Sequence, residues 1–234
     1  MKIFVLYWML SFTISLGWAQ TLAPIDVRIQ NLYNGAMMNV NNRVEDETES
    51  NTYWRLQWSK GIIKFKNGSV VDEFPLRFDL QGQRLEVFLG RETKFLSVDM
   101  ITEFFIEADD QTMHHFVNPS QYFAQEGLES GFFEVLLEGP WTLLRKSEIK
   151  FWEPTYFQTA SFEKTIERKE KFYLYFQTDL IYIPPQKKKA INSLKPYIPD
   201  IEIQLKAQKI NLKQLASLRV LVKDLNQKLE DSTH

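Results

Sequence analysis

A mainly β fold with C-terminal α-helices is predicted: an antiparallel meander closing as a barrel or sandwich, with two or three helices packed against it. Three observations predict it. Apolar and polar residues alternate over most of the stretch from Tyr53 to Trp152. Turn residues interrupt that alternation about every 8 to 12 residues, as in an antiparallel meander. Beyond Pro184-Pro185 the apolar spacing changes to three and four, the period of a helical stripe. A sheet this long is expected to close or fold over, because open edges invite pairing with other chains.

The chain opens MKIFVLYWMLSFTISLGWAQ. Lys2 is a short positive region, Ile3 to Leu16 an apolar run, and Gly17 and Ala19 the small residues before a cleavage point at Gln20. This is the pattern of a secretory signal peptide over residues 1–19. The run is shorter than the ~20 apolar residues of a membrane span. No cysteine follows it, which excludes a lipid anchor on Cys. Removing 19 residues from 234 leaves a mature chain of 215, enough for one substantial domain. The formal net charge of −2 becomes −3 when Lys2 is lost, so the charge balance gives no general pull toward nucleic acid. The sequence contains no cysteine. An exported protein of this kind relies on its core for stability, and thiol catalysis, Cys-ligated zinc and iron–sulfur clusters are excluded.

Residues 20–53 form an N-terminal segment with an acidic loop, NNRVEDETESN, from Asn41 to Asn51. A cation site from Glu45, Asp46, Glu47 and Glu49 fits no calcium-loop spacing and lacks the glycine such loops use, so the run reads as a solvated loop. Residues 54–185 form the antiparallel β domain. Its strands are IIKFK at 62–66, FPLRFDL at 74–80, RLEVFLG at 84–90, MITEFFI at 100–106, MHHFVN at 113–118, FFEVLLEG at 132–139 and WTLLRK at 141–146. Asn67-Gly68 suits a two-residue type I′ turn joining Ile62–Lys66 to Ser69–Phe74. Gln81-Gly82-Gln83, Asp109-Asp110 and Glu138-Gly139-Pro140 are the further breakers.

Residues 151–182 are rich in aromatics: Phe151, Trp152, Tyr156, Phe157, Phe162, Phe172, Tyr173, Tyr175, Phe176 and Tyr182. A last hairpin is expected to turn near Thr178-Asp179. Phe172, Leu174 and Phe176 share one strand face and read as core. Tyr173 and Tyr175 share the other, where a hydroxyl suits either a wet rim or a covered layer. Residues 186–230 are the C-terminal helices. Ile191, Leu194, Ile198, Ile201 and Leu205 make one stripe; Leu215, Leu218, Val222, Leu225 and Leu229 make another. Pro196 starts a second helix and Asn211 caps the last one on this reading. Two heptads are short for a coiled coil, so the last stripe is expected to dock on its own sheet, in a monomer.

Trp58-Ser59-Lys60-Gly61, the NG hairpin, FFEVLLEGPWTLLRK at 132–146 and KKKAINSL ahead of a closing helix pair together resemble a group of small exported proteins of Bacteroidetes. The resemblance covers roughly residues 54–228 and implies export in a Gram-negative cell. It implies no reaction.

Motifs that carry chemistry are sparse. There is no G-x-S-x-G elbow, no phosphate-binding glycine loop and no dinucleotide fingerprint. The histidines are His114, His115 and the terminal His234. Neighbours in a strand face opposite ways, so His114 and His115 cannot serve one pocket; one of them beside Glu107, Asp109 or Asp110 would suit a general base, and a half-exposed strand histidine is the simpler reading. No catalytic residue, metal ligand or cofactor is assigned, and a ligand-binding residue is not identified. The basic residues Lys187, Lys188, Lys189, Arg145, Lys146, Lys150, Lys164, Arg168, Lys169 and Lys171 suit an anionic lipid surface, but Glu167 and Glu170 dilute them. The expectation is an exported periplasmic or surface protein with a non-enzymatic binding or structural role. Its partner would be an envelope protein or an apolar ligand. A carrier or sensor of an apolar ligand inside a barrel is the alternative, and a hydrolase the third.

Overall fold

The computed structural model describes residues 38–39, 52–90, 92–123, 127–152 and 165–233. The signal peptide, the acidic run 41–51 and the aromatics Tyr156, Phe157 and Phe162 lie outside the described residues. The strands are β1 (Met38–Asn39), β2 (Ser59–Phe65), β3 (Val70–Asp79), β4 (Arg84–Phe88), β5 (Thr93–Leu96), β6 (Ile101–Glu107), β7 (Met113–Val117), β8 (Phe133–Leu137), β9 (Trp141–Trp152), β10 (Thr165–Phe176) and β11 (Asp179–Ile183). The helices are α1 (Pro119–Tyr122), α2 (Lys187–Leu194), α3 (Ile201–Ala207) and α4 (Leu215–Thr233).

The described strands form one antiparallel sheet in the order β1-β5-β4-β3-β2-β6-β7-β8-β9-β10-β11. β1 and β11 are its two ends and do not pair with each other, so the described strands make an open sheet and not a closed barrel, one of the two forms, barrel or sandwich, that the length suggests. β5 escaped the sequence reading because it is four residues long and its Lys94 is buried on the apolar side. Pro75 sits in β3 opposite the register shift between Lys60 and Ile62 of β2, where the irregular ladder tolerates a residue with no N–H.

The pairing register sorts the side chains onto two faces. Across β2 to β7 the first face carries Ile63, Leu76, Phe78, Leu85, Val87, Leu96, Phe104, Ile106 and Phe116, which pack with Phe132 into one buried cluster. Phe78, Phe104, Phe116 and Phe132 meet mostly edge to face, with ring centres 4.8–5.6 Å apart. Farther along the same face, Trp141, Leu143, Leu174, Ile181 and Ile183 meet the helices through Leu194, Ile198, Ile201, Leu205, Leu218, Leu221 and Val222. The opposite face holds a smaller cluster of Val117, Phe133, Leu144 and Tyr173. β9 touches all three: Leu143 lies in the helix-covered cluster, Leu144 in the small one, and Ile149 packs on the first.

The helical stripes are buried where the spacing places them, and four turns or helix starts differ locally from the expected ones. The NG hairpin is a three-residue loop: Gly68 N–H donates to Phe65 O, and Phe65 N–H donates to Ser69 O. Only Gly68, at φ 83°, is left-handed, because the Asn67 carboxamide instead accepts from the N–H and hydroxyl of Ser69. α3 begins at Ile201 and not near Pro196, since Pro199 steers Ile198 away from helical geometry. Asn211 closes a turn by accepting from Lys213 N–H, and α4 starts four residues later. The last hairpin turns at Gln177, whose φ is 54°.

Candidate functional site

Between the two apolar clusters of the first face runs a row of charged and polar side chains. Ladder register fixes its order. His114 stands beside Ile106, Glu134 beside Phe116, Arg145 beside Glu134 and Phe172, and Glu170 beside Ser147. His114 Nδ1 lies 2.7 Å from Glu134 Oε1. Arg145 donates to Glu134 Oε2 through Nε at 2.9 Å and through Nη2, and its Nη1 reaches Glu170 at 3.1 Å. Glu134 is only 4% exposed, so these partners replace the water that a buried carboxyl group has lost. The indole of Trp54 tilts over His114, with ring centres 4.9 Å apart.

This row contains a hydroxyl, an imidazole and a carboxylate in sequence. Thr112 Oγ1 is 3.4 Å from His114 Nε2. Its single proton is already donated to Asp110 at 2.6 Å, and that bond with the Thr112 N–H holds the Asp110 carboxyl below its usual range. A nucleophile must give its proton to the base, and here the hydroxyl gives it to a carboxylate.

His115 points to the opposite face, as strand alternation requires. Its Nε2 meets Glu103 and its Nδ1 lies 3.1 Å from Glu138. Phe105 stacks on the ring at 4.3 Å, and Lys64 also pairs with Glu103 at 2.6 Å. The two histidines therefore have different carboxylates, neither of them Glu107, Asp109 or Asp110. On the same face Tyr173 donates to Glu129 at 2.7 Å, as does Lys146 at 2.7 Å. Burial, followed by the Glu129 bond, pushes the Tyr173 hydroxyl well above its ordinary value. Burial works to raise Glu129, but the bonds from Lys146 and Tyr173 outweigh it and leave that carboxyl low. Tyr173 is thus part of a covered layer, pinned beneath the segment that follows α1, where Phe123 also stacks on Tyr175 at 3.4 Å.

A third polar group escaped the sequence reading. Arg77 and Glu86 are register partners on β3 and β4. Arg77 Nε donates to Glu86 at 2.9 Å, Tyr53 donates to Glu86 at 3.0 Å, and the guanidinium lies 4.0 Å from the Tyr53 ring centre. All three are buried. Alternation around Leu76, Phe78, Leu85 and Val87 places Arg77 and Glu86 together on the second face, but no local pattern reveals that Tyr53 covers them.

Four of the basic residues are paired with carboxylates: Lys146 with Glu129, Arg145 with Glu134, Lys171 with Glu148 and Lys169 with Glu167. Among the described residues no group of three or more His, Asp or Glu is placed to hold a metal. The acidic run considered for a cation lies outside them. No helix among them is long and apolar enough to cross a membrane. The described residues line a groove of about 220 Å³ beside Arg84 and another of about 190 Å³ between the β10–β11 edge and Leu212. No family model, curated protein or solved structure matches the chain.

Proposed function

We propose that this is an exported protein of the cell envelope, in the periplasm or at the surface, with a non-enzymatic binding or structural role. The observation that supports it best is the filling of the first face. Phenylalanines occupy one half and the helices the other, so recognition is left to the surface. The leader pattern of residues 1–19 and the resemblance to exported Bacteroidetes proteins support the location. The alternative, a carrier of an apolar ligand, needs an enclosure such as a closed barrel or sandwich. The two grooves beside Arg84 and Leu212 are smaller than the roughly 300–1,000 Å³ of ordinary ligand pockets, so among the described residues they offer room for a small molecule and not for a large apolar cargo. The hydrolase reading rests on His114 against Glu134 and is weakened by the proton of Thr112 going to Asp110.

Affinity capture from envelope extracts, with mass spectrometry of proteins and lipids, tests the proposal. The expected result is a protein partner held by the mature chain, which begins at Gln20 by N-terminal sequencing. A stoichiometric lipid would favour the carrier. Ester hydrolysis by the purified chain that His114→Ala abolishes, with the fold intact, would establish the hydrolase instead.

A further inference from the structure

The hairpin between β3 and β4 builds a cationic edge that no described residue pairs with. Asp79 and Arg84 are register partners at its base. The Asp79 carboxylate is 1% exposed at its side chain. Its Oδ1 accepts from the N–H groups of Gln81 and Gly82 at 2.9 and 3.0 Å, and its Oδ2 accepts from Arg84 Nε at 2.9 Å. The Arg84 guanidinium carbon lies 3.7 Å from the centre of the Phe95 ring. One nitrogen and one face of the group are therefore held, while Nη1 and Nη2 have no hydrogen-bond partner among the described residues. A Cβ at Gly82 would stand 2.6 Å from Asp79 Oδ2 and 2.8 Å from Arg84 Nε, so only glycine lets the turn close over this pair.

Beside that edge lies the groove of about 220 Å³. Among the described residues lining it, Arg84 is the charged one. Phe95, Leu96 and Val98 give it apolar walls. Gln83 is fixed there: its Nε2 donates to Leu80 O and Ser147 O, and its Oε1 accepts from Phe132 N–H. Ser97 makes no capping bond to the turn that follows it.

We propose that this groove binds a small apolar molecule through a carboxylate. The two terminal guanidinium nitrogens form the planar fork that matches two carboxylate oxygens. The apolar walls take a short hydrocarbon tail. Asp79 offsets part of the positive charge, which favours a monoanion over a phosphate dianion. The carboxylate belongs either to a free aliphatic acid or to the last residue of a peptide. The site stands on this geometry alone and does not depend on the envelope reading.

Chemical-shift titration of the ¹⁵N-labelled mature protein tests it, with 4-methylpentanoate, N-acetyl-leucine, N-acetyl-leucinamide and inorganic phosphate as separate probes. The expected result is saturable movement of the Gly82, Leu96, Ser97 and Val98 amides with one or both carboxylates at millimolar concentration. The amide should have no such effect, since it lacks the charge. Tighter binding of the free acid assigns the source to small acids, and tighter binding of N-acetyl-leucine assigns it to peptide ends. Arg84→Gln should weaken binding by about tenfold or more, the value of a charge-assisted pair. Because that change also removes the Arg84 bond to buried Asp79, Ser97→Leu is the second variant. It fills the groove, keeps the Arg84–Asp79 pair, and should abolish binding with the melting temperature retained. Equal shifts with the amide, tighter binding of phosphate, full binding by Ser97→Leu, or no saturable shift with either carboxylate would each overturn the proposal.

Discussion

Gly68 and Tyr53 show how single residues carry the local chemistry. Gly68 is left-handed, and a Cβ there would meet nothing within 4 Å. Gly68→Val therefore strains the backbone without a clash, and should lower stability by about 1–2 kcal/mol in a denaturant titration. An unchanged midpoint would refute the turn geometry. Tyr53 has the opposite environment. Burial, then the Glu86 carboxylate beside it, push its hydroxyl up to about 12. The folded state thus holds the neutral form above the ordinary value near 10. The resulting stability is complete below pH ~10 and is lost as pH rises toward 12, at most about 3 kcal/mol by linkage. Melting curves across that range should fall with pH, and Tyr53→Phe should flatten part of the slope; Tyr173, raised in the same direction, keeps the rest.

The histidines belong to this scale too. His114→Ala leaves Glu134 with both Arg145 bonds, and His115→Ala leaves Glu103 with Lys64. Each variant should stay folded and lose about 1 kcal/mol, the net worth of one hydrogen bond. Losses of several kcal/mol would mean that the cations do not compensate.

At the scale of elements, α4 is attached to β9 in two ways. Leu218, Leu221 and Val222 are fully buried against the sheet. The Asn226 carboxamide accepts from Trp141 N–H at 2.7 Å and donates to Trp141 O at 3.0 Å, replacing a strand partner at the start of β9. Leu218→Asp should cost about 3 kcal/mol or more through lost burial and an unpaired charge, and should open the C-terminal segment to protease. Asn226→Ala should cost about 1–3 kcal/mol, because it leaves two backbone groups unpaired. Leu215, Leu218, Val222 and Leu225 were legible as a stripe from spacing alone. Asn226 was not, since a polar residue on a polar-looking helix position gives no sign of a strand terminus in reach.

For the whole molecule, β9 decides cooperativity. It contributes to all three clusters, so loss of the helices should loosen the sheet as well. Unfolding followed by tryptophan fluorescence and by far-ultraviolet dichroism should give coincident transitions, and Leu218→Asp should shift both together. The midpoint should not move across a hundredfold range of protein concentration, because the stripe is covered within its own chain; a midpoint that climbs would indicate pairing between chains.

The alternation, the turn residues and the change of period determined by themselves that the chain is an antiparallel sheet followed by amphipathic helices. They also determined that His114 and His115 face apart, because side-chain direction in a strand is a local property. Tertiary structure decided the rest. Which carboxylate each histidine meets depends on strand order, and the order in which β8 and β9 follow β7 brings Glu134 and Arg145 to His114. That the described sheet stays open depends on curvature summed over many strands, to which no single window of sequence responds. The Arg84 groove is of the same kind: its fork comes from one hairpin and its wall from β5, and only their packing puts a guanidinium edge with no partner among the described residues over an apolar floor.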